Sequence, residues 1–120
     1  MVGKFFTAAV LVLAGTGSAM TVPSKRQVHS GVATFYEPGL GECGIFNQPS
    51  DFIVALSVQN FNNSDCFKNI RVTSGGKSAT VRVVDECPTC GLNGLDLSPA
   101  AFEVFAPLSA GEISVTWQFV

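Results

Sequence analysis

Alternation between apolar and polar residues is the main pattern along this chain, and a period of two predicts β-strands. It is clearest in residues 113–119, where one face carries Ile113, Val115, Trp117 and Phe119. Four further strands are predicted at residues 31–36, 51–58, 69–73 and 79–84. Gly75 and Gly76 predict a hairpin turn before the last of these. Short strands separated by Gly, Pro and Asn are typical of a small β-barrel.

The same alternation assigns side chains to faces of the strands. In residues 31–36, the two faces carry Ala33 with Phe35, and Val32 with Thr34 and Tyr36. In residues 79–84, Val84 falls on the face of Thr80 and Arg82, opposite the other apolar side chains. Trp117 shares its face with apolar neighbours, so we expect it in the core and not at a sugar-stacking surface.

One helix is predicted after residue 98. Ser98 can cap the helix with its hydroxyl group, and Pro99 suits the first helical position. Pro107 would end it. Apolar contacts are expected from Leu97, Phe102 and Phe105.

The first 19 residues have the pattern of a secretory signal peptide, with Lys4, an apolar run at 5–14 and small residues up to Ala19. The apolar run is about half of the ~20 residues that a membrane-spanning helix needs. Residues 20–27 are polar and read as a flexible arm or a segment removed by a dibasic-cutting protease. We therefore expect a secreted protein whose single domain covers residues 28–120.

Composition and charge narrow the function. The chain is 47% hydrophobic and 13% charged, which excludes a disordered chain, and its pI of about 5.2 argues against nucleic-acid binding. Removing the leader and the arm takes away Lys4, Lys25 and Arg26, so the seven basic residues become four against nine acidic ones. The remaining domain has a formal charge of −5, and we expect a monomer without a nucleic-acid or membrane partner.

Four cysteines allow three disulfide pairings. We favour Cys43–Cys66 with Cys87–Cys90, because the short C-P-T-C segment can close a small ring while the other pair ties a long loop. A zinc site would need two such pairs of cysteines, and a thioredoxin-type centre would need a helix directly after the motif. Structural disulfides are therefore expected, with no metal and no cofactor.

Two further residues are of interest in the sequence. Asn62 begins an Asn-Asn-Ser glycosylation sequon, as in an exposed loop of an exported protein. His29 has no partner nearby in the sequence, which favours a solvated or structural histidine over a metal ligand.

Four motifs together resemble the expansin-like double-psi β-barrel family, and in particular the single-domain fungal loosenins. They are G-V-A-T-F-Y at residues 31–36, G-E-C-G at 41–44, V-D-E-C-P-T-C at 84–90 and L-D-L-S-P-A-A-F at 95–102. Barwin-type and rare-lipoprotein-A domains share these motifs more distantly. The resemblance covers about residues 28–120. It implies a six-stranded barrel whose shallow groove binds cellulose or chitin of cell walls and loosens it without hydrolysis.

The resemblance also implies which residues form the groove. Asp96 matches the key carboxylate of the family, and Asp85 matches the acidic residue before the Cys-Pro turn. Thr34 and Tyr36 match groove residues of the first strand, and Tyr36 is the candidate for stacking on a sugar ring. Plant members usually have His and an aromatic residue before the Asp, where this chain has Gly94 and Leu95.

Hydrolysis of a glycosidic bond normally needs two carboxylates. In the related endoglucanases the second one directly follows a Thr-x-Tyr-x pattern, and matching Thr34 and Tyr36 puts Pro38 at that position, while Glu37 should project to the other face. We therefore expect a protein without catalytic activity, although Asp96 with Asp85, or Asp96 alone in a lytic transglycosylase, keeps an enzyme as an alternative. Another alternative is an inhibitor of papain-like cysteine proteases or a protein that acts at a host surface.

Overall fold

The computed structural model describes residues 27–120 and contains six β-strands. They are β1 (His29–Phe35), β2 (Ile53–Ser57), β3 (Asn69–Ser74), β4 (Lys77–Cys87), β5 (Leu95–Leu97) and β6 (Ile113–Phe119). The strands close into a barrel in the order β1-β5-β2-β4-β3-β6. The predicted β-barrel is therefore confirmed. The predicted signal peptide and residues 20–26 of the arm lie outside the described residues.

Pairs β1–β5 and β2–β4 are parallel, and the other four pairs are antiparallel. The hairpin between β3 and β4 turns at Gly75 and Gly76, as predicted, and both have a positive φ that other residues rarely adopt. β5 is the strand that the alternation did not reveal. Its three residues are too few for a period to stand out, yet they join β1 to β2 and complete the barrel.

The barrel interior is filled by side chains from every strand. Its largest fully buried residues include Trp117, Phe102, Leu56, Ile70, Leu95 and Leu97. Trp117 is a core residue, as predicted, and its Nε1–H donates to the Asn93 carbonyl oxygen at 2.9 Å. His29 has a partner that sequence distance concealed, because its ring stacks on Trp117 at 4.2 Å between centroids. Its role in the described structure is therefore packing.

Val84 is fully buried, but it does not belong to the core cluster that contains Val81 and Val83. Next to β2, Val83 pairs with Val54 but Asp85 pairs with Ala55, so Val84 is an extra residue in β4. Such a β-bulge interrupts the alternation of faces. After the bulge, Asp85 lies on the outer face with Ala55, although simple alternation from Val83 would have placed it inside.

The helix α1 (Pro99–Phe102) begins as predicted but is shorter. The Ser98 hydroxyl oxygen accepts a hydrogen bond from the Ala101 N–H at 3.3 Å, and Pro99 occupies the first turn. Beyond Phe102 the chain continues in tight turns and not as a helix up to Pro107. Phe102 is fully buried and contacts Phe35 edge to face, so α1 closes one end of the core.

Two disulfides hold the loops. Cys43 is joined to Cys66 and Cys87 to Cys90, which is the arrangement favoured from the sequence. Asn62 is exposed at the start of a 3₁₀ turn over Asn63–Asp65. Within residues 27–120, no helix is long and apolar enough to cross a membrane.

Candidate functional site

A row of side chains crosses four neighbouring strands on the outer face of the barrel. Thr34 of β1 pairs with Asp96 of β5, and Asp96 pairs on its other side with Ala55 of β2. Ala55 in turn pairs with Asp85 of β4. The row therefore runs Thr34, Asp96, Ala55, Asp85, and we call it the polar row. Three of the four predicted groove residues belong to it.

The polar row faces outward because its neighbours along each strand face inward. Leu95 and Leu97 on either side of Asp96 are fully buried in the core, as are Val54 and Leu56 on either side of Ala55. Successive side chains of a strand point to opposite faces. Asp96 and Ala55 must then point outward. Asp85 joins them only through the bulge at Val84.

Asp96 occupies the middle of the polar row and is half-buried. Its Oδ1 accepts a hydrogen bond from the Thr34 hydroxyl at 3.0 Å. Burial raises the pKa of Asp96 because it disfavours the charged form, and the nearby charge of Asp85 adds to the rise, whereas the Thr34 hydrogen bond opposes it. The Thr34 hydroxyl is thus the protein group that donates to Asp96, through Oδ1.

Asp85 has a different role, because the backbone holds its carboxylate. Oδ1 accepts hydrogen bonds from the N–H groups of Glu42 at 2.8 Å and Glu86 at 2.9 Å. Gly41 comes so close that a Cβ there would lie 2.5 Å from the Val84 carbonyl oxygen. This contact brings the loop at residues 40–46 to one end of the polar row. The sequence motif contained Gly41 and Glu42, but only the structure shows that they enclose Asp85.

Tyr36 lies two residues after Thr34, directly beyond the end of β1. Its N–H donates to the Leu97 carbonyl oxygen at 2.9 Å. Burial raises the pKa of the Tyr36 hydroxyl, and the charges of Asp85 and Asp96 raise it further. The hydroxyl therefore lies within electrostatic reach of both carboxylates. All four predicted groove residues thus belong to one neighbourhood.

The Cys87–Cys90 disulfide lies beside Asp96, with Cys87 Sγ 3.8 Å from Asp96 Oδ2. These three side chains have the spacing of metal ligands, but thiolates bind metals and both sulfurs are in the disulfide. A depression of about 460 Å³ opens next to it and is lined in part by Thr34, Cys90 and Leu92. It extends the outer face beyond Thr34, away from the Asp85 end.

This chain departs from plant members and related endoglucanases at four positions, and none of the four adds an ionisable side chain to the polar row. Gly94 and Leu95 are both buried, so neither offers a side chain to the outer face. Glu37 is exposed and Pro38 has no ionisable group. Among residues 27–120, Asp85 is therefore the carboxylate that shares the polar row with Asp96.

A family model described as lytic transglycolase matches residues 28–117. The chain belongs to the expansin-like double-psi β-barrel family. In sequence, this family member is similar to the papain inhibitor of Streptomyces mobaraensis, at 33% identity over 96% of this chain and 92% of the inhibitor. The Aspergillus fumigatus allergen Asp f 7 is 34% identical over 80% of this chain, which spans 38% of that allergen.

Two solved structures have the same barrel. The Streptomyces papain inhibitor superposes with a TM-score of 0.71 at 32% identity, covering 79% of this chain and 96% of the inhibitor. A mutant expansin of Clavibacter michiganensis in complex with cellohexaose superposes with a TM-score of 0.71 at 26% identity, covering 78% of this chain and 50% of the expansin. The expansin-like chain described here thus corresponds to half of that expansin and to nearly all of the inhibitor.

Proposed function

We propose that this protein is secreted and binds cell-wall polysaccharide, cellulose or chitin, along the polar row, loosening it without hydrolysis. The observation that carries the proposal is the alignment of Thr34, Asp96 and Asp85, with Tyr36 beside them, on one outer face. Thr34, Asp96 and Asp85 are each partly exposed, with Ala55 buried between the two carboxylates, so an extended polymer would contact the three polar residues. The complex of a related expansin with cellohexaose supports the same ligand class.

Asp96 would act by exchanging hydrogen bonds. Its carboxylate is half-buried and has one partner from the protein through Oδ1, the Thr34 hydroxyl. Sugar hydroxyls could therefore donate to its remaining acceptor sites. Hydrogen bonds to a charged acceptor are stronger than those between neutral groups, so they compete well with hydrogen bonds between polysaccharide chains. Adhesion between chains would weaken while every covalent bond stays intact.

The two carboxylates of the row are poorly suited to hydrolysis. A glycosidase needs one carboxylic acid to protonate the leaving oxygen and a second carboxylate to attack the sugar or activate water. Asp85 accepts two backbone N–H groups with Oδ1, which assigns it to holding the 40–46 loop. A lytic transglycosylase needs a single acid/base group, and the family description keeps that reaction as the enzymatic alternative.

Binding to cellulose and chitin powders tests the proposal, with the released sugars analysed after long incubation. Wild-type protein should bind and release no sugar, and Asp96→Asn should lose binding and loosening while keeping its fold. Glu103→Gln, which changes an exposed carboxylate at the end of α1, is the matched control and should bind normally. Normal binding by Asp96→Asn would contradict the role of the row, and anhydro-sugar products would favour the lytic reaction.

The second candidate function is inhibition of papain-like cysteine proteases. It is favoured by the match to the Streptomyces papain inhibitor, which this chain covers almost from end to end as a single barrel. Residual activity of papain at increasing protein concentration tests it. Unchanged papain activity at concentrations well above that of the enzyme would remove this candidate and leave the polysaccharide proposal intact.

A further inference from the structure

The loop at residues 40–46, which we call the 40–46 hairpin, carries two exposed apolar side chains. Phe46 is 78% exposed and Leu40 is 67% exposed, and the two residues form an antiparallel bridge. Residues directly opposite in an antiparallel bridge project to the same side. The pair therefore forms one apolar patch at the base of the hairpin, whose turn lies at residues 42–44. A phenylalanine with this exposure loses its contact with water only when a partner covers it.

Several contacts hold the backbone of the 40–46 hairpin in place. Gly41 N–H donates to the Ile45 carbonyl oxygen at 3.1 Å, and Cys43 N–H donates to the Val84 carbonyl oxygen at 3.1 Å. The Cys43–Cys66 disulfide and the hydrogen bond from Glu42 N–H to Asp85 add two anchors. A loop that is ordered before binding loses little conformational entropy when it binds. The backbone that carries the apolar patch is thus ordered before a partner binds.

The chemistry of the apolar patch points to a protein partner. Side chains exposed by two thirds or more are accessible to a partner that supplies an apolar pocket. A polysaccharide chain is itself a convex rod and needs a flat or grooved surface. Leu40 is also branched and aliphatic, so it offers no flat ring for a sugar. An apolar pocket within a protein cleft matches both features.

We propose that the 40–46 hairpin is the element that docks into the active-site cleft of a papain-like cysteine protease, with Phe46 filling an apolar pocket. This inference rests on the second candidate function above. Leu40 lies opposite Phe46 in the bridge and would widen the apolar contact. The hairpin blocks the cleft through contact alone, without a covalent step. The polar row, which the hairpin adjoins at Asp85, is the surface proposed for polysaccharide.

Inhibition constants against papain test the proposal with four proteins: wild type, Phe46→Ser, Leu40→Ser and Leu92→Ser. Leu92 is 64% exposed in the other disulfide-held loop and is the matched control. We expect Phe46→Ser to weaken inhibition by roughly tenfold or more, as for a central interface residue, with a smaller loss for Leu40→Ser. Leu92→Ser should inhibit like wild type.

The outcomes separate this proposal from the others. Cellulose binding and thermal unfolding of Phe46→Ser should match those of wild type, since the changed side chain is exposed. Asp96→Asn should inhibit papain normally. Equal inhibition by Phe46→Ser and wild type would overturn the role of the hairpin while preserving the inhibitory function. Absence of inhibition by the wild-type protein would overturn both.

Discussion

Asp85 and Asp96 pair with the same residue, Ala55, from opposite sides. Two strand spacings place their Cα atoms about 10 Å apart on one face. Their environments nevertheless differ, since Asp85 accepts two backbone N–H groups and Asp96 accepts the hydroxyl of Thr34 while half-buried. Asp85 therefore anchors the 40–46 loop to β4, whereas Asp96 is bound by a single hydroxyl group of the protein.

The pKa of Asp96 predicts a dependence of stability on pH. Burial raises this pKa in the folded protein, so the protonated group favours folding. That contribution is fully present below the unfolded pKa and is lost as the pH rises through the folded pKa. We expect Asp96→Asn, which cannot ionise, to be more stable relative to wild type at about pH 7 than at about pH 3.

Urea unfolding of both proteins at the two pH values measures this difference. Glu103→Gln serves as the control because Glu103 is exposed outside the polar row. The stability of Asp96→Asn relative to wild type should rise towards neutral pH. A constant or falling difference would show that burial does not limit the ionisation of Asp96.

Asp85→Ala should destabilise the fold. The substitution removes the acceptor of the Glu42 and Glu86 N–H groups and leaves the 40–46 hairpin held to β4 by the hydrogen bond from Cys43 N–H to Val84. Leaving such donors without a partner costs about 1–3 kcal/mol, and Asp85→Asn, which keeps an acceptor oxygen, should lose less. Chemical denaturation measures both free energies of unfolding. Equal stability of Asp85→Ala and wild type would show that water replaces the carboxylate without cost.

Two substitutions of Tyr36 separate its ring from its hydroxyl. If the ring stacks on a sugar, Tyr36→Phe should retain most of the binding to cellulose, and Tyr36→Ala should weaken it by roughly tenfold. The charges of Asp85 and Asp96 act on the hydroxyl, so the hydroxyl is the other group through which Tyr36 would contribute to binding. Binding isotherms decide between the two. An equal loss in both variants would assign the contribution to the hydroxyl.

Gly31→Ala should destabilise the barrel by about 3 kcal/mol, at the upper end for forcing extra atoms into a packed site. A Cβ on Gly31 would collide with the Asn93 carbonyl oxygen, which already accepts the Trp117 Nε1–H. Gly91→Ala is the control, because its Cβ would meet nothing within 4 Å. Thermal unfolding compares the two variants. Similar midpoints would mean that β1 and the loop before β5 can separate freely.

Local patterns predicted much of the fold. The alternation in residues 113–119 placed Trp117 in the core because a strand with one buried face needs that period. Ser98 and Pro99 marked the start of α1 because both satisfy the free backbone groups of a first helical turn. The end of the helix was missed, because the chain continues after Phe102 in tight turns that pack Phe105 and Ala106 against the core.

By itself, the sequence determined the β class, five of the six strands, the hairpin at Gly75 and the motifs that carry Asp85 and Asp96. Only the tertiary structure decided that these two carboxylates flank Ala55 on one face. That arrangement depends on which strands become neighbours when the barrel closes, and on the bulge at Val84 that turns Asp85 outward. A period of two is a local property of a strand, whereas register, bulges and strand order are set by contacts between distant segments.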